Sequence, residues 1–111
     1  MAAGDVTIGG TYDDWHGMLG KHAVVGTVQL DGSNPTPVDL SSYLTGIDGA
    51  MVSLVTATAP GLDPSWITHA VSGTTLNVYA WKVTASGDAT LVASTNNTLS
   101  VSFIAFGDRV V

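Results

Sequence analysis

The chain reads as short alternations of apolar and polar positions separated by turn residues. From Ala23 to Leu30, Val24, Val28 and Leu30 share one face while Thr27 and Gln29 occupy the other, and the turn-rich DGSNPTP at 31–37 ends that strand. Val38-Asp39-Leu40 is a short extended piece, and the SSYLTGIDG that follows is expected to be a loop or a single helical turn. Ala50 to Ala57 predicts a second strong strand, with Met51 and Val55 on one face and Val52 and Leu54 toward the other. Apolar residues on both faces point to an interior strand or to one covered by a partner.

The two prolines and the glycine of TAPGLDP, residues 58–64, require a loop. Trp66 to Ser72 resumes the alternation, and Ser72-Gly73 turns the chain into Thr75 to Thr84, where Leu76, Val78 and Ala80 oppose Tyr79, Trp81 and Val83. Ser86-Gly87-Asp88 reads as a hairpin connection and Asn96-Asn97 as a further turn. In the last strand, Thr98 to Phe106, Leu99, Val101, Phe103 and Ala105 face away from Ser100 and Ser102. Six or seven strands at such intervals predict an all-β antiparallel β-sandwich or jelly-roll-like domain over residues 23–111.

Residues 1–22 follow neither a period of 2 nor one of 3.6 and are rich in Gly and Asp, so they are expected to form an extended N-terminal arm. Fully extended, such an arm reaches roughly 70 Å. Within it, Tyr12, Trp15, Met18 and Leu19 are spaced to form the apolar face of a short helical turn, against which Gly9, Gly10, Gly17 and Gly20 weigh. Two readings stay open for these side chains: an anchor on a neighbouring subunit, or a return onto the chain's own core.

Composition sharpens the β reading. All nine acidic residues are Asp, there is no Glu, and Val and Thr each occur 14 times. Only 11% of residues are charged, against roughly 25% in ordinary domains. A chain so poor in charge is kept soluble by Ser, Thr and Asn, or hides surface in an assembly. The net charge of −6 has no basic stripe, which disfavours nucleic acid and anionic membrane as direct partners. No apolar run reaches the roughly 18 residues of a membrane span, and the N-terminus has neither the basic start nor the apolar stretch of a secretory leader. The lack of Cys removes disulfides, thiol catalysis and thiolate metal sites, so oligomerisation is a natural source of added stability.

No catalytic constellation stands out, and the chain is expected not to be an enzyme. His16, His22 and His69 lack the close spacing of a metal motif. Adjacent Asp13 and Asp14 point to opposite sides of an extended chain. Neither DDWHG nor DGSNPTPVD alternates oxygen ligands as a calcium loop does. No G-x-S-x-G elbow, S-x-x-K motif or phosphate-binding glycine pattern is present, and neither a metal nor a cofactor is expected. The candidate interaction residues are therefore aromatic: Trp66, Tyr79 and Trp81 beside the arm's Tyr12, Trp15, Met18 and Leu19. Tyr79 and Trp81 share one strand face, which suits core packing, a sugar pocket or a subunit interface.

The run GTVQLDGSNPTPVDLSSYLTGIDGAMVSLV, with APGLDPSWIT, GTTLNVYAWK and the closing VSFIAFG, resembles small virion proteins of tailed bacteriophages that decorate or cement heads. The similarity spans most of residues 23–107. It implies a capsid decoration protein on the outside of the head, partnered by the major capsid protein and by copies of itself, with a trimer as the natural form. The strand order and the V-x-F-I-A-F-G ending also resemble the H-type lectin fold of some phage tail and adhesin proteins. That likeness implies, as the alternative, a tail-associated module binding a receptor or carbohydrate.

Overall fold

A computed structural model describes residues 2–13, 21–59, 61, 63–84 and 90–110. Among the described residues, eight strands form two antiparallel sheets: β1 (Val6–Asp13), β2 (Lys21–Gln29), β3 (Thr36–Asp39), β4 (Leu44–Val55), β5 (Trp66–Ser72), β6 (Thr75–Val83), β7 (Leu91–Ala93) and β8 (Ser100–Arg109). The order in the first sheet is β1-β2-β8-β4, and in the second β3-β6-β5 with β7 also on β6. The chain is all-β, and the sheets pack face to face as a sandwich. Val24, Val28 and Leu30 from one side of the chain's alternation meet Leu76, Val78, Ala80, Val101, Phe103 and Ala105 in one buried cluster. The period-2 patterns of β2, β6 and β8 thus point inward as their sequences predict.

Two segments differ from expectation. Residues read as an arm contain β1, an edge strand registered along β2 from Val6↔Val28 to Asp13↔His22, and β2 itself begins at Lys21. The alternation is hidden because a bulge between Ile8 and Gly10 shifts its phase in a Gly-Gly sequence. Tyr12 therefore sits on a strand rather than in a helical turn, while Trp15, Met18 and Leu19 lie outside the described residues.

The second difference is SSYLTGIDG, which is strand from Leu44 onward. Register shifts between Leu44 and Gly46, and again between Ile47 and Gly49, each insert a residue. Leu44, Ile47 and Ala50 consequently all reach the core, followed at the ordinary spacing by Val52 and Leu54. The spacing of three created by two bulges imitates a helical turn. β4 is also an edge strand rather than an interior one.

Loops are held by side chains that complete the sheets. β3 and β7 occupy the same edge of β6 in succession, and the gap between them falls at Ala80. There Asn34 Oδ1 accepts the Ala80 N–H at 2.8 Å, and the Ser94 N–H donates to the Ala80 carbonyl at 2.9 Å. Ser94 Oγ in turn donates to Asp63, anchoring the proline-bounded loop beside buried Pro64. Gly73 takes the first position of the two-residue β5–β6 turn with φ +61°, as a primed hairpin turn demands. The Ser86-Gly87-Asp88 connection lies outside the described residues.

Asp39 closes the turn after β3 by accepting the Ser41 N–H at 2.9 Å. That backbone bond, then the Ser41 hydroxyl, holds its carboxyl below the ordinary value of 3.8. A group with a depressed folded pKa contributes stability above its unfolded value and loses it as pH falls through the folded one. The expected result is that the Ser41 amide resonance stays in place through the usual carboxylate range and shifts only at lower pH. A midpoint at or above 3.8 contradicts the assignment.

Candidate interaction surfaces

Cross-strand register decides what each outer face displays. On the first sheet, Val25 and Met51 flank Ile104 in adjacent strands, with Ser102 and Ser53 in the next row. Together with Val52 and Phe103 they line an open groove of about 420 Å³. Met51 is 65% exposed, and Tyr12, 51% exposed, stands farther along the same sheet opposite Ala23. A sandwich strand ordinarily turns polar residues outward. In the row of Val25, Ile104 and Met51 this sheet is apolar on its outer face as well, across three strands. Sequence reasoning flagged Met51 and Val55 but missed Val25 and Ile104, whose patch exists only once β2, β8 and β4 lie side by side.

The second sheet carries the aromatic residues. Trp66 on β5 registers with Trp81 on β6, and Thr68 with Tyr79. Tyr79 and Trp81 stack with ring centroids 6.0 Å apart and planes 7° from parallel, within the range of favourable aromatic pairs. Trp81 Nε1 donates to Thr68 Oγ1 at 2.8 Å, which fixes the indole's orientation. Trp66 is 63% exposed, whereas Tyr79 and Trp81 are half-buried. These rings stand outside the core, since Leu76, Val78 and Ala80 fill the opposite face of β6. The structure therefore joins Trp66, Tyr79 and Trp81 on one face and puts Tyr12 on the other sheet.

Charge gathers at one end of the first sheet. Lys21 Nζ bridges Asp108 at 2.8 Å and Asp48 at 2.7 Å, and Asp48 is the extra residue of the second β4 bulge. The hydrogen bonds that the ammonium donates to Asp108 and then to Asp48 raise the lysine's pKa above its usual value. Beside it, Asp13 joins His22 Nδ1 at 2.8 Å to Arg109 Nη1 at 3.2 Å. A carboxylate–imidazole pair does nucleophilic chemistry only with a hydroxyl or thiol on the ring's other side. Among the described residues none hydrogen-bonds to His22, and no group of three His, Cys, Asp or Glu is placed to hold a metal. The cluster ties the ends of β1, β2, β4 and β8 together.

Comparison with protein families, with curated proteins and with solved structures finds no match.

Proposed function

We propose that this chain is a non-catalytic structural virion protein, a decoration or cement protein that binds the outside of a tailed-phage head, partnered by the major capsid protein and by copies of itself. The observation that carries this reading is the outer face of the first sheet, where Val25, Met51 and Ile104 form an apolar groove bordered by Ser53 and Ser102. Continuous apolar surface rimmed by hydroxyls is what a docking site presents, because its burial supplies affinity without unpaired charge. Low overall charge suits a protein packed among many copies of a shell subunit. The threefold arrangement comes from the phage resemblance.

Binding to purified heads, read as occupancy by electron cryomicroscopy, tests the reading. Met51→Asp and Ile104→Asp place a carboxylate in the groove and leave the core untouched. Each is expected to weaken binding roughly 30-fold or more, the scale of a central contact worth about 2 kcal/mol, with the melting temperature little changed. Full occupancy by both variants eliminates this face as the anchor.

A second reading, a tail-associated carbohydrate-binding module, draws on the exposed Trp66 beside the Tyr79–Trp81 stack. Saturable binding on a glycan array that Trp66→Ala abolishes would select it over head decoration.

A further inference from the structure

The outer face of the second sheet changes character along its length. Its β5 and β6 rows run from Trp66 beside Trp81, through Thr68 beside Tyr79 and Ala70 beside Asn77, to Ser72 beside Thr75. At a rise of roughly 3.3 Å per residue this strip is about 20 Å long. One end is an aromatic platform. Trp81 Nε1 donates to Thr68 Oγ1 at 2.8 Å, which draws the indole across from β6 toward β5, and Tyr79 lies 7° from parallel with it. Trp66 adds a third ring, 63% exposed. Beyond the rings, Ala70 and Ser72 are small and exposed, so the floor stays low. The polar groups at this end are unused: the side chains of Asn77, Ser72 and Thr75 make no hydrogen bond among the described residues. No charged side chain belongs to these four rows, and Asp39, beside Thr75, borders the last of them.

We propose that this strip binds a neutral, β-linked oligosaccharide lying along β5 and β6, with one sugar ring on the aromatic platform and the next sugars over Ala70, Asn77, Ser72 and Thr75. The inference rests on the carbohydrate-binding reading and not on head decoration, and it adds the extent of the site and the class of sugar. Each part of the strip selects a feature of that ligand. A pyranose ring presents a face of positively polarised C–H groups, which pack on the electron-rich faces of indole and phenol rings. Its hydroxyls both donate and accept, as do the hydroxyls of Ser72 and Thr75 and the amide of Asn77. The Thr68 hydroxyl accepts from Trp81 and keeps its own proton to donate. An uncharged strip ending at Asp39, on a chain of net charge −6, disfavours acidic sugars. A β-linked chain of pyranoses joined through equatorial bonds is a flat ribbon that keeps contact along a sheet face, while an α-linked chain coils away. A protein partner favours an apolar centre enclosed by a polar rim. Here the rings sit at one end and the polar groups follow in line.

NMR titration of the full chain with cellotetraose, mannotetraose and xylotetraose tests the proposal. At least one is expected to shift, saturably and together, the Trp66 indole N–H, the Ala70 and Ser72 amides and the Asn77 side-chain amide. Trp66→Ala is expected to weaken that binding about tenfold or more, and Asn77→Ala, which leaves the rings in place, roughly fivefold, with circular dichroism unchanged. Maltotetraose, the α-linked counterpart of cellotetraose, is expected to give no saturable shift. Equal affinity for maltotetraose or for tetragalacturonate overturns the assigned class of sugar. Saturable binding to other glycans with none of the three tetrasaccharides bound overturns this site and leaves the carbohydrate-binding reading standing. Shifts confined to the Trp66 indole and reproduced by glucose alone do the same. No sugar binding, with head binding that Trp66→Ala disrupts, assigns the face to protein docking and overturns both.

Discussion

Replacing Gly107 with alanine is expected to destabilise the fold by about 3 kcal/mol, the upper range for forcing an extra carbon into a packed interior. A Cβ at this position overlaps the Gly46 carbonyl oxygen and approaches the Ile47 Cα at 3.2 Å. Both obstacles are backbone atoms of the β4 bulge, which cannot swing aside as a side chain does. Relief requires moving the bulge, and with it Asp48 and the Lys21 bridge. Two neighbouring glycines calibrate the effect. A Cβ on Gly46 meets nothing within 4 Å, so Gly46→Ala is expected to change stability by less than about 0.5 kcal/mol. A Cβ on Gly49 meets the Phe106 ring at 2.8 Å, and a ring can tilt, so Gly49→Ala falls between the two. Urea unfolding of the three variants reads out this order through their midpoints. Equal midpoints for Gly107→Ala and Gly46→Ala would show that the bulge is not rigidly seated on β8.

The second large effect is expected at Phe103, in the centre of β8 and only 3% exposed. Its ring lies across Gly26 of the adjacent strand, where a Cβ would stand 2.9 Å from Phe103 Cζ and 2.5 Å from the Thr7 carbonyl oxygen. Ring and glycine are thus matched, the missing side chain on β2 making room for the one on β8. Phe103→Ala removes the ring and cannot be compensated from Gly26, because Thr7 blocks any Cβ there. The expected loss is about 3–5 kcal/mol, the usual cost of Phe→Ala in a core that cannot collapse. For a domain whose whole stability is on the order of 5–15 kcal/mol, that is a major fraction. The double variant Gly26→Ala with Phe103→Ala tests the matching. If the added methyl recovers stability, the Thr7 carbonyl is free to move and the obstruction falls.

Which side chains face the core was legible wherever the strands are regular. In β2, β6 and β8, period-2 alternation records burial directly, because a strand with one buried face must place every second side chain there. The turns between β2 and β3, β4 and β5, and β5 and β6 were legible for a similarly local reason: Pro, Gly and Asx residues limit φ or bind their own backbone within a few residues. Asp31, for example, accepts the Ser33 N–H at 2.8 Å and the Thr36 hydroxyl at 2.9 Å.

The candidate surfaces were only half legible. Trp66, Tyr79 and Trp81 were named from residue type and strand face, yet the pairing of Trp66 with Trp81 depends on the β5–β6 register. Val25, Met51 and Ile104 come from three strands separated by long stretches of chain, and no local pattern marks them as neighbours.

By itself, the sequence determined an all-β sandwich with apolar inner faces, because alternation, β-branched content and turn chemistry are written residue by residue. Tertiary structure alone decided that part of the presumed arm is the edge strand β1, that the presumed helical turn is bulged β4, and that β4 and β5 lie at sheet edges. Those outcomes depend on which backbone meets which across the sheet. Hydrogen bonds between distant strands use groups that every residue carries, and a bulge shifts the phase of the side-chain pattern that would otherwise reveal them.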